Sequence, residues 1–160
     1  MLINPTNQTN RRDQARLAEF GPLLGVELVV VEASNPAHLE TAFDAARKES
    51  AEGILVLGDA LIFTHSATVV GLAARYQLPA MYLSRRNVQN GGLMSYGPYN
   101  VGLWHRAAGY VDKILKGERA GDLPVEQPTR FYLTVNLKTA AELGITVPPA
   151  ILAQAEEVIE

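Results

Sequence analysis

Three short apolar runs, Val26 to Val31, Gly53 to Leu57 and Leu78 to Leu83, recur along the first half of the chain with stretches of helical period between them. Near-continuous apolar runs of this length mark strands buried on both faces of a parallel sheet. Ahead of them, Leu2-Ile3 reads as the end of a further strand, stopped by the turn Asn4-Pro5-Thr6-Asn7. A helix is expected over Arg11 to Leu24, with Gly25 where a helix stop belongs. Asn35-Pro36 supplies a cap and a first-turn proline for a second helix, whose Leu39, Ala42, Phe43 and Ala46 form one apolar stripe as far as Lys48. A third helix is expected over Thr64 to Tyr76, and Ser84 to Asn90 forms a turn or short helix. Strands alternating with helices require right-handed crossovers, so residues 1–97 are expected to form an α/β lobe built on a parallel, doubly wound sheet.

The pattern changes after Pro98. Val101 to Lys116 reads as a long crossover helix with an apolar stripe of Leu103, Ala107, Val111 and Ile114. An extended linker follows from Asp122 to Pro128, then a strand from Phe131 to Val135, a short helix from Leu137 to Leu143 closed by Gly144, and a final helix opened by Pro148-Pro149. Residues 98–160 thus form a second segment of helix, linker, strand and short helices.

Composition narrows the function. With 48% hydrophobic residues in 160, the chain builds a core without staples. Charged residues are 19% and the formal net charge is -3, so the broad positive field needed for nucleic acid is missing. Cysteine is absent, which removes disulfides, thiolate catalysis and cysteine-held metals and leaves the redox compartment open. No apolar run approaches the ~20 residues that cross a bilayer. Met1 to Pro5 lacks the basic, apolar and small-residue succession of an export signal.

In an open parallel sheet, ligands sit at the carboxyl ends of the strands. Those positions hold Asn4, Thr6, Asn7, Asp59 and Ser84, with Tyr82 and Tyr96 as candidate aromatic walls. Asn4 to Asn7 precede a helix N-terminus, which suits a carboxylate or phosphate, or they simply cap that helix. Asp59 has the same two readings: a partner for an ammonium or amide group, or a cap. It lacks the acidic and lysine companions of a phosphoryl-accepting aspartate. His65 and Ser66 are adjacent and diverge by about 100° on a helix, which defeats a nucleophile–base pair. His38, His65 and His105 have no metal-ligand spacing. No catalytic residue, cofactor or metal is therefore expected, and an enzyme of flavodoxin-like architecture is the weakest reading.

The segments Gly91-Gly92-Leu93-Met94-Ser95-Tyr96-Gly97-Pro98, Ile114-Leu115-Lys116-Gly117, Asp122-Leu123-Pro124-Val125-Glu126-Gln127-Pro128 and Val135-Asn136-Leu137-Lys138-Thr139-Ala140 together resemble the substrate-binding proteins of ABC transporters, in particular the tryptophan, amino-acid or urea type. The resemblance covers essentially the whole chain. It implies a type I periplasmic-binding fold, two α/β lobes closing on a small solute, an ABC permease as partner, and a periplasmic or cell-surface location. It also implies that this chain corresponds to the C-terminal half of such a protein, with residues 98–160 completing the hinge and the other lobe. Asn4, Thr6, Asn7, Asp59, Tyr82, Ser84 and Tyr96 would then line one wall of the cleft. Without the other lobe the stripe on the crossover helix is uncovered, which predicts a homodimer through residues 98–160. The alternative is a stand-alone dimeric module for sensing a ligand or docking a partner.

Overall fold

The computed structural model describes residues 1–160. In chain order the elements are β1 (Leu2–Ile3), α1 (Gln8–Phe20), β2 (Val31–Glu32), α2 (His38–Lys48), β3 (Ile54–Leu55), α3 (Ala60–Thr64), α4 (Ser66–Arg75), β4 (Ala80–Tyr82), α5 (Arg85–Gln89), β5 (Met94–Pro98), α6 (Asn100–Leu115), β6 (Phe131–Asn136), α7 (Leu137–Glu142), α8 (Pro149–Leu152) and β7 (Glu157–Ile159). Strands β3, β4, β5, β6 and β7 form one sheet in that order. The β1–β2 pair joins it through a parallel bridge between Leu2 and Val56, closed by the Leu57 N–H donating to the Leu2 carbonyl at 3.1 Å. The full order is therefore β2-β1-β3-β4-β5-β6-β7, parallel throughout except where β6 runs antiparallel to β5. The result is the expected α/β lobe with a mostly parallel sheet.

The main core lies where α2 and α4 cover the sheet. Leu39, Ala42, Phe43 and Ala46 of α2, the stripe read from sequence, pack with Val69, Val70, Leu72 and Ala73 of α4 on Leu2, Ile54, Val56, Ala80 and Tyr82. Burying a side chain the size of Phe43 contributes about 1.5–3 kcal/mol. A smaller cluster of Leu93, Val135, Ala140 and Val147 closes the β5–β6 side under α7.

Four local expectations change. The strand expected over Val26 to Val31 is ordered as a strand only at Val31–Glu32, and Val26 is 53% exposed. The reason is the neighbour: β2 lies at the sheet edge beside β1 alone, and β1 is two residues long and pairs with β2 only at Val31 and Glu32, so the rest of the apolar run has no strand beside it. The helix expected over Thr64 to Tyr76 is found as α4, Ser66–Arg75, but a separate short helix, α3, precedes it and ends at Thr64, with His65 between the two. The final helix opened by Pro149 stops after one turn, and Glu157–Ile159 instead pair with β6 as β7. Lastly, β6, α7 and β7 return to this same sheet, where Met94 to Pro98 pair with Val135 to Phe131.

What leaves the sheet is α6. None of its residues is buried, Val111 and Ile114 of its stripe are exposed, and Trp104 is 74% exposed. The chain departs and returns at one place, where the Tyr99 N–H donates to the Arg130 carbonyl at 3.1 Å and the Tyr99 and Tyr132 rings stack at 4.6 Å.

Candidate functional site

The carboxyl ends of β1 and β3 meet on Asp59. Its Oδ1 accepts from Asn4 Nδ2 at 3.0 Å and from the Leu61 N–H at 2.8 Å, while its Oδ2 accepts from Asn7 Nδ2 at 2.7 Å. Asn4 in turn holds its own loop, since its Oδ1 accepts from the Thr6 N–H at 3.0 Å and from Thr6 Oγ1 at 2.8 Å. Asn7 caps α1 by accepting from the Thr9 N–H at 2.9 Å, and Asp59 caps α3, both from extended backbone. Buried Asn10 ties the loop from inside: its Oδ1 accepts from the Asn4 N–H at 2.9 Å and its Nδ2 donates to the Gly58 carbonyl at 3.0 Å.

Capping and ligand binding are therefore compatible at Asp59. A carboxylate offers about four acceptor positions, and three are taken within the protein. Burial acts to raise the Asp59 carboxyl, but the hydrogen bonds from Asn4, Asn7 and the Leu61 N–H, helped by the nearby Ala60 backbone dipole, outweigh it and hold the group below the ordinary aspartate value. It is a fixed anion with room for one more donor.

Beside it the rim is concave. A hollow of about 370 Å³ is lined by Gly58, Asp59, Ile62, Phe63, Leu83 and Asn87 among others. An adjoining hollow of about 360 Å³ shares Phe63, Leu83, Ser84, Pro98 and Asn100 with it and continues to Trp104 and Tyr132. The Arg86 guanidinium sits 5.1 Å from the centre of the Phe63 ring, on the boundary between them. A third hollow of about 470 Å³ lies among Gly25 to Val29 and Glu49 to Gly53. It opens at the amino ends of the strands, the wrong end for ligand binding in a sheet of this kind.

The other expected residues divide. Ser84 is on the wall of both hollows and caps α5 through the Arg86 N–H at 3.3 Å. Tyr82 borders the first hollow but is only 1% exposed, in the core with Val69 and Val70. Its ring edge is held against Gly92, where a Cβ would stand 2.6 Å from Cε2. Tyr96 is half exposed and stacks on Phe131 at 5.6 Å, on the wall of neither hollow. Sequence reading missed Phe63, Leu83 and Asn87. Phe63 and Asn87 sit in the short helices that follow β3 and β4, whose inward faces become visible only when a helix start is fixed by its cap.

The Tyr82 hydroxyl is buried with no hydrogen-bond partner, and burial pushes its phenol well above the ordinary value. An unpaired buried hydroxyl costs about 1–3 kcal/mol, so Tyr82→Phe is expected to leave stability unchanged or raise it by about 1 kcal/mol in urea unfolding. A loss of more than about 1 kcal/mol would reveal a partner for that hydroxyl.

Known proteins place this geometry. No curated protein sequence matches the chain significantly. Among solved structures, a conserved domain protein from Vibrio cholerae O1 biovar El Tor superposes with a TM-score of 0.87 at 26% identity, over 98% of this chain and 53% of that one. An ABC domain from Streptococcus pneumoniae, solved in complex with L-Trp, gives a TM-score of 0.88 at 22% identity, over 99% of this chain and 55% of that one. The ligand-free, open structure of a substrate-binding protein with adhesive properties from Clostridium difficile gives 0.69 at 19% identity, over 99% and 52%. This chain thus spans about half the length of each. The family model for ABC transporter substrate binding proteins matches residues 1–159, and the chain belongs to that family.

Proposed function

We propose that this chain forms one lobe of the solute-binding component of an ABC importer and that it holds a small polar solute, of the amino-acid class, between its strand rim and a second lobe. The observation that carries the reading is Asp59: an anion fixed by Asn4, Asn7 and a helix start, beside a solute-sized hollow, with one acceptor position to spare. That group suits an ammonium or amide donor. The apolar sides of the hollow, Ile62, Phe63 and Leu83, suit a carbon side chain. The L-Trp held by the pneumococcal neighbour supports the same solute class. The role is non-catalytic, its macromolecular partner is an ABC permease, and its compartment is extracytoplasmic, periplasmic or cell-surface. No helix of the chain is long and apolar enough to cross a membrane.

A thermal-shift and calorimetric panel of amino acids, urea and short polar solutes tests the reading. Binding raises the melting temperature with occupancy. One open lobe buries less of a solute than a closed pair, so millimolar affinities are expected. No shift from any amino acid at tens of millimolar would overturn the solute class.

The uncovered stripe on α6 favours a second reading, in which two copies pair through residues 98–160 and the dimer senses a ligand. Leaving Val111, Ile114 and their neighbours in water forgoes about 1.5–3 kcal/mol for each side chain that a partner would bury. Light scattering at micromolar concentration is expected to give the mass of a dimer, and a monomer there removes this reading.

A further inference from the structure

We infer that Asn87 is a second polar anchor of the solute site, a donor for a carboxylate or carbonyl oxygen of the bound molecule; this rests on the solute-binding reading above. Asn87 lies in α5, on the wall of the same hollow as Asp59, and is 3% exposed. Its Nδ2 is buried and makes no hydrogen bond, whereas the amides that tie the neighbouring β1 loop are occupied: Asn4 and Asn7 donate to Asp59, and Asn10 donates to Gly58; Asn100, the other amide on this wall, is exposed to solvent. An unpaired buried amide donor destabilises the protein, and such groups in native structures call for an explanation.

A structural role does not supply one. The backbone of Asn87 is already engaged, its N–H donating to the Ser84 carbonyl and its own carbonyl accepting from the Gly92 N–H at 2.9 Å, so the side chain is not needed to hold the turn. An apolar residue would fill the same place without an orphaned donor. The torsion that orients an asparagine amide is broad and roughly two-fold, so rotation about it brings the N–H groups to the hollow. What would meet them there is an acceptor. Asp59 on the same wall rejects a second anion and accepts a donor. The pair therefore selects a solute with a donor at one end and an oxygen acceptor at the other, the arrangement of an α-amino acid, over an amine that has only the first.

The test uses the 160-residue chain and three matched pairs of probes: L-tryptophan with tryptamine, L-phenylalanine with phenethylamine, and L-leucine with isoamylamine. The wild-type chain is expected to bind at least one amino acid about 10-fold or more tighter than its amine, and Asn87→Ala and Asn87→Leu to erase that preference while the amine affinity stays put. Without solute, Asn87→Leu is expected to melt no lower than wild type, which a structural asparagine would not allow. Should either variant fail to fold, the wild-type side-chain amide resonance of Asn87 in a heteronuclear NMR titration decides, and it is expected to move as L-tryptophan, L-phenylalanine or L-leucine is added. If the variants keep the preference, or that resonance stays fixed while others move, the Asn87 inference falls and the solute reading stands. If none of the six probes binds wild type, the Asn87 inference falls, and the wider amino-acid panel above decides whether the solute reading falls with it.

Discussion

A Gly97→Ala variant is expected to melt about 6–12 °C below the wild-type chain, a loss of about 3 kcal/mol or more. Gly97 lies in β5 where that strand passes the end of β4, and a Cβ there would stand 1.9 Å from the Leu83 carbonyl oxygen and 2.9 Å from its carbon. Both atoms belong to the backbone, so no rotamer change relieves the clash. One strand end must move. Leu83 and Pro98 line the hollow, so the same displacement is expected to weaken amino-acid binding as well as stability. Thermal melting with matched solute titrations checks both. A melting temperature within about 2 °C of wild type would mean that the two strand ends have the freedom to separate.

Asp59→Ala is expected to cost about 2 kcal/mol and to abolish binding of the amino acid that wild type prefers. The stability part comes from the helix start of α3, about 1 kcal/mol for a lost cap, and from the Asn4 and Asn7 amides, each left without its acceptor. It has a defined pH window. The folded carboxyl titrates below the unfolded value, near 3.9, so its contribution is complete above that value and disappears as pH falls through the lower, folded one. Urea unfolding of wild type and variant is thus expected to show a constant gap from about pH 7 to 5 that closes below about pH 4. A gap that persists unchanged at pH 3 would show that the charge of Asp59 contributes nothing. Binding without the carboxylate would put the donor end of the solute elsewhere.

Much of the lobe was legible in the sequence because its signals are local and repeated. The α2 stripe of Leu39, Ala42, Phe43 and Ala46 is buried as the spacing predicts. Asn7, Asp59 and Ser84 each cap the helix that follows a strand, so the polar residues at strand ends could be found from turn chemistry alone. Their convergence could not. That Asn4 and Asn7 both donate to Asp59 depends on β1 lying next to β3, and adjacency across more than fifty residues leaves no periodic trace. The direction of β6 was hidden for a related reason: alternation marks a strand but not which way it runs beside its neighbour. Tyr82 and Tyr96 show the limit of reading aromatics by position, since one faces the core and the other stacks on β6.

The shared doorway at Tyr99 and Arg130 makes residues 100–129 a graft on an otherwise closed design. Because β5 and β6 are already paired up to Pro98 and Phe131, the excursion begins and ends a single hydrogen-bond step apart. Excising it and joining the two strands by a tight hairpin turn would leave every sheet pairing of the lobe intact. The lobe can therefore exchange this appendage for others without renegotiating its interior.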